Sequence, residues 1–346
     1  MSPVAPCPAA FQNEVLGERF RWRPCETAFD LFGRLSRPPL RLIDAAAELP
    51  HQVVLHAGEA LEISGEPGSG KTATLFEILA RCVLPVACGG LGAHAVLIDT
   101  DGVDLARLAL DLRRRHRAAR GLARGSAGSP GSGCSSEPED ASEAAFVDGC
   151  LRRLHVLRAA DRHELTLALH AVLGYIHHGG GAEPAASASP PGGLPPAAAL
   201  RLLAVDSASR FQWLGRAQQR LPSLADPDAA LPLVLADLLQ RRSLSLVWTR
   251  TPASKPLPDA FPAPQQRDPL TGLCTYALCL RRRPRWPEAG EDAADSVEAM
   301  LLHTARAGAG GAGKPAAPLP PPLRLELLLG GGGHGTVAIR PSSAAR

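Results

Sequence analysis

Long hydrophobic runs are missing from this sequence. No uncharged apolar stretch reaches the ~18 residues that a membrane-crossing helix needs, so no membrane association is expected. The first residues show no basic region followed by an apolar stretch, so no secretory signal is expected either. The eight cysteines form no Cys-x-x-Cys pair and no Cys/His cluster with zinc-ligand spacing, which argues for free thiols in a reducing, intracellular compartment. Aromatic residues make up only 4% of the chain. The formal net charge of +3 is too small to imply nucleic-acid binding by itself. No internal repeat is evident.

Alanine, glycine and proline are plentiful instead, with 34 Gly and 33 Pro in 346 residues, the pattern of a compact core interrupted by low-complexity loops. Basic residues cluster at Arg113-Arg114-Arg115-His116-Arg117 and Arg281-Arg282-Arg283-Pro284-Arg285. Two readings stand for these runs: solvated surface, or contact with DNA or an acidic partner.

Composition and periodicity divide the chain. Residues 1–25 read as a disordered N-terminus, and 26–57 as a short helix and linker with Phe29, Phe32 and Leu35 on one face. A core spans 58–283, with disordered insertions at about 121–143 and 179–199. Residues 284–321 read as a low-complexity linker and 322–346 as a closing hairpin and tail. Within the core, strands are expected at Gly58–Ser64, His94–Ile98, Leu154–Arg158, Leu200–Asp206, Ser243–Thr249 and Cys274–Leu280. Helices are expected from Lys71 to Cys82, from Leu105 to about Arg117, from Asp161 to Ile176 and from Leu231 to Arg242. His177-His178 borders a glycine run and reads as loop. Strands alternating with helices predict an α/β fold with a largely parallel central sheet flanked by helices.

The segment Gly65-Glu66-Pro67-Gly68-Ser69-Gly70-Lys71-Thr72 matches G-x-x-x-x-G-K-[ST] in full, between an expected strand and an expected helix. The glycines let the backbone turn sharply and bring its N–H groups to phosphate oxygens, while the helix start adds unpaired donors. Lys71 would neutralise the β- and γ-phosphates, and the Thr72 hydroxyl would ligate a metal. This chemistry calls for a nucleoside triphosphate, ATP, with Mg2+. Asp206, closing an apolar strand, is the candidate second metal ligand. Asp101 is the candidate base or orienter for an attacking water; as an alternative, it caps the helix that starts at Leu105.

Strand, P-loop and helix, followed by Ile98-Asp99-Thr100-Asp101 and then Leu202-Leu203-Ala204-Val205-Asp206-Ser207, resemble the ATPase core of RecA-like recombinases. Together with Ala80–Pro85 and Gly89-Gly90-Leu91, they resemble the eukaryotic recombinase-paralogue branch of that family. The close match covers about 58–110, with looser similarity over most of the remainder. The resemblance implies a RecA-like ATPase domain without the helical N-terminal domain of full recombinases. It implies a nuclear role in homologous recombination and double-strand break repair. It also implies work within a complex of recombinase paralogues, beside a D-type neighbour, that acts on single-stranded DNA directly or through the complex. Arg107 matches the position of an arginine that stacks on adenine.

The departures bear on turnover. Active recombinases carry glutamate where this chain has Asp101, which is one methylene shorter. They carry an Asn-Gln pair where this chain has Thr249-Arg250, and an arginine there would meet phosphate as a charge. The stretch Ser207–Pro227 interleaves Arg210, Arg216 and Arg220 with Phe211 and Trp213, suited either to DNA or to packing on the core or a partner. The Pro-rich stretch 252–268 makes a poor DNA groove. The reading is an ATP-binding accessory subunit with weak or absent hydrolysis. Alternatives are a DNA-stimulated ATPase or recombinase in its own right, and an unrelated P-loop kinase using 113–117 as a lid.

Overall fold

The computed structural model of the protein describes residues 36–41, 54–126, 139–179, 200–210, 227–240, 244–252, 270, 273–282, 295–303, 323–329 and 337–341. The expected helix with Phe29 and Phe32, residues 1–25, all but the first residue of the insertion expected at about 179–199, and the aromatic residues Phe211 and Trp213 lie outside them.

The strands are β1 (Leu40–Arg41), β2 (Val54–Leu55), β3 (Ala60–Gly65), β4 (His94–Asp99), β5 (Leu154–Arg158), β6 (Leu200–Asp206), β7 (Ser245–Arg250), β8 (Tyr276–Arg282), β9 (Asp295–His303), β10 (Leu323–Leu329) and β11 (Val337–Pro341). The helices are α1 (Lys71–Val83), α2 (Leu105–Ser126), α3 (Glu139–Leu151), α4 (Arg162–Gly179) and α5 (Pro227–Gln240). β1 and β2 form a small antiparallel pair. The rest build one sheet in the order β11-β10-β9-β8-β3-β7-β6-β4-β5. Pairing is parallel from β8 through β5 and antiparallel from β8 out to β11. This is the α/β fold with a largely parallel sheet that the alternation of elements predicts.

The parallel strands are apolar because both sheet faces are covered. Along β6, Leu202 and Ala204 point to one core with Leu75, Ile78 and Leu79 of α1. Leu203 and Val205 point to the other, with Leu165, Leu169 and Val172 of α4 and Val234, Leu235 and Leu238 of α5. The spacing of those leucines and valines is that of a helix face. Asp161 starts α4 by accepting a hydrogen bond from the Glu164 N–H at 2.8 Å.

Several segments differ from expectation. α2 continues past Arg117 to Ser126, and α3 begins at Glu139, so helix occupies both ends of the supposed insertion 121–143. The low-complexity reading of 284–321 misses β9, which is paired on both sides, with β8 and β10. α4 takes in His177 and His178, read as loop. The closing hairpin is present as β10 and β11.

The basic run on α2 is tied into the fold. Arg115 pairs with Glu77 of α1, Arg117 pairs with Glu143 of α3 at 2.8 Å, and His116 stacks on Phe146. Glu77 also accepts from Arg81 one turn along α1. A kinase-like lid is therefore not what 113–117 forms. In the second run, Arg281 pairs with Glu298 across β8 and β9.

Candidate functional site

The P-loop leaves β3 at the carboxyl end of the parallel strands, where α/β sheets bind ligands. Gly68 and Gly70 sit at φ 77° and 87°, in the left-handed region that glycine adopts without strain. A side chain at Gly65 would collide with Ser69 and with the Leu280 carbonyl. The helix that follows starts at Gly70 with no side-chain cap and no acidic residue in its first turn. Its first N–H groups are therefore open to an external anion. Ser69 Oγ is buried and has no hydrogen-bond partner among the described residues.

Lys71 folds back over the loop, donating to the Gly65 and Glu66 carbonyls at 2.8 Å each. Burial lowers its pKa, against the opposing pull of Asp206, Asp101 and Glu66. Thr72 Oγ1 donates to Asp206 Oδ2 at 2.8 Å, across 134 residues of sequence. The other oxygen of Asp206 accepts from Thr249 Oγ1. Burial pushes the Asp206 carboxyl up, while the bonds from Thr249 and Thr72 hold it down. A hydroxyl and a carboxylate converging in this way can share one hard divalent cation.

Thr72 and Asp206, the two residues read from sequence as metal ligands, are thus within hydrogen-bond distance of each other. Asp101 lies in the loop after β4, close enough to act on both Lys71 and Asp206. Its Oδ1 accepts from Arg210 Nη1 at 2.6 Å, so its carboxylate is already engaged. Glu66 and Pro67 occupy the exposed turn of the P-loop. Arg107 is exposed in the first turn of α2, where its N–H donates to the Asp104 carbonyl at 3.3 Å.

Arg250 corrects the sequence reading. It is 1% exposed and pairs with Glu62 at 3.2 Å, beside Trp248, which donates to the same carboxylate. Trp248 belongs to the core on the face away from α1, and strand alternation puts Arg250 on that same face. Thr249, its neighbour, faces α1 and reaches Asp206 instead. Arg250 is a buried structural cation and not a contact for phosphate.

Three residues matter here to which the sequence reading assigned no role, Asp99, Ser207 and Ser209. Asp99 Oδ1 accepts from the N–H groups of Asp101, Gly102 and Val103 at 3.1, 2.7 and 3.1 Å, fixing the loop that carries Asp101. An aspartate two residues before the Asp101-Gly102 turn is the local signal for this arrangement. Ser207 and Ser209 bond to each other at 2.9 Å, while Thr100 and Thr251 bind them from the ends of β4 and β7. Nothing local predicts that cross-strand hydroxyl set.

No helix among the described residues is long and apolar enough to cross a membrane. Among the described residues, no group of three or more His, Cys, Asp or Glu is placed to hold a metal unaided. No protein-family model matches the chain. The chain is similar to the DNA repair protein XRCC2 of Mus musculus, with 29% identity over 197 residues, covering 56% of this chain and 56% of that protein. It is a distant homologue of that RecA-like paralogue, and the match spans about half of the relative's length.

Proposed function

We propose, from the premise of that distant homology to a DNA repair protein, that this chain is an ATP-binding accessory subunit of a recombinase-paralogue complex. It would act in homologous recombination and double-strand break repair, in the nucleus, with weak or absent hydrolysis. A D-type paralogue is the expected neighbour, and single-stranded DNA would be met directly or through the complex.

The observation that carries the reading is the convergence of Thr72 and Asp206 beneath a complete P-loop. The residues fit ATP and Mg2+. The buried Ser69 hydroxyl, without a partner among the described residues, and the uncapped start of α1 both await an acceptor. Gly65 to Thr72 would hold the phosphates, Lys71 turning from the loop carbonyls to them, and Arg107 would stack on the base. Thr72 and Asp206 would hold Mg2+, which when bound would neutralise charge between the phosphates.

Weak turnover follows from what surrounds Asp101 and Thr249. Asp101 is one methylene shorter than the glutamate of active recombinases, so its carboxylate is poorly suited to reach the water that an in-line attack requires. Arg250 is committed to Glu62 and leaves no polar amide at that strand end to report on the phosphate.

The test has two parts. Binding of a fluorescent ATP analogue with Mg2+ is compared between the unchanged chain and Lys71→Ala. Equal binding in both would remove the nucleotide site. A tagged chain is then used to capture partners from nuclear extract; recombinase paralogues are expected, and their absence with folded bait would remove the accessory-subunit reading. Turnover on single-stranded DNA well above the Lys71→Ala background would favour an ATPase in its own right.

A further inference from the structure

We propose that Arg210 senses the terminal phosphate: it exchanges Asp101 for that phosphate when a nucleoside triphosphate binds, and so sets a preference for triphosphate over diphosphate. This rests on the nucleotide-binding reading above.

The geometry places the ion pair at the phosphate end of the site. β4 and β6 are neighbours in parallel register, with Asp99 opposite Asp206. Asp101 follows the first and Arg210 the second, so both extend beyond the strand ends beside Thr72 and Asp206. Asp101 is close enough to act on Lys71 as well as on Asp206.

Both partners are held from behind. The backbone of Asp101 is pinned by the Asp99 carboxylate. The turn leading to Arg210 is pinned by Ser207 and Ser209, which are buried and bonded to Thr100 and Thr251. The two backbones are fixed, and the side chains are the adjustable part. Both side chains are half-exposed, at 51% for Asp101 and 44% for Arg210. An ion pair with that much solvent access contributes little and opens at little cost. A terminal phosphate carries more charge than a carboxylate and offers a guanidinium three oxygens, so it competes well for Arg210. A diphosphate would lack that group, and Arg210 would stay on Asp101.

The experiment measures dissociation constants of the full chain for a non-hydrolysable ATP analogue and for ADP, each with Mg2+. Arg210→Gln should weaken the triphosphate about tenfold and leave the diphosphate unchanged. Arg210→Lys should retain part of the preference. Asp101→Asn should tighten the triphosphate when Arg210 is present and fail to do so in the Arg210→Gln background. Melting temperatures check that each variant is folded. An equal change for both nucleotides, no change for either, or the same gain from Asp101→Asn in both backgrounds would overturn the exchange. If the unchanged, folded chain binds no nucleotide, the nucleotide-binding reading falls and this inference with it. Binding with an unaltered preference in Arg210→Gln removes this inference alone.

Discussion

Asp99 accepts three backbone N–H groups with one buried carboxylate, so the loop after β4 depends on a single side chain. Replacing it with Ala leaves those donors without their acceptor. Asp99→Ala is expected to lower unfolding free energy by about 2–3 kcal/mol, and Asp99→Asn by less, in urea denaturation. The buried thiols make a second prediction. Burial pushes Cys82 up to about 12 and Cys279 up to about 11, so both remain thiols near neutral pH. At pH 8 they should resist alkylation in the folded chain and react once it is denatured, as read by mass spectrometry. At this scale the contiguous residues were legible. Gly65 to Thr72 declare themselves because the motif is local, and Asp206 because it ends an apolar run. The pairing of Arg250 with Glu62 spans 188 residues and leaves no mark in either neighbourhood. The alternation of Thr249 and Arg250 did hold one clue, since only one of two successive strand residues can face the P-loop helix.

The elements that sequence placed well are those buried by their own pattern. β5 and β6 have the expected bounds, and α1 runs one residue past its expected end at Cys82, to Val83. α1 is gripped along its whole length, with Leu75, Ile78 and Leu79 fully buried. Leu79→Ala should cost about 2–5 kcal/mol through lost burial and the cavity left behind, measured by urea unfolding. α3 was hidden because its anchors are few. Among the described residues, Val147 and Cys150 are its buried apolar ones, Phe146 and Leu151 pack partly buried against the core, and the Arg117–Glu143 pair and the His116–Phe146 stack tie it to α2. β9 was hidden for a related reason. Its pairing with β8 and β10 is made in three dimensions, and its nine residues are set between Pro-, Gly- and Ala-rich flanks that dominate the local composition.

Across the whole molecule, acid should loosen the sheet near β5. His94 and His155 stack, with ring nitrogens 3.2 Å apart, and burial lowers the pKa of both. Folding therefore favours their neutral forms. Above about pH 6.5 both rings are neutral whether the chain is folded or not, and no pH dependence arises from them. Below it the unfolded chain takes up protons first, so stability falls as pH drops toward the lowered values. Unfolding midpoints should fall between pH 7.5 and 5.5, and His155→Gln should flatten that fall; an unchanged slope would remove the histidine pair as its source. The order of the strands has a consequence for synthesis. β3, which carries the P-loop, pairs only with β7 and β8, both from far down the chain. A ribosome that has delivered Lys71, Thr72, Asp101 and Asp206 has delivered the sequence motifs and not yet either strand that holds the P-loop strand in place. A premature stop before Ser245 would thus yield a chain with every residue of those motifs and neither strand that seats the P-loop, however well those residues survive in the reading frame.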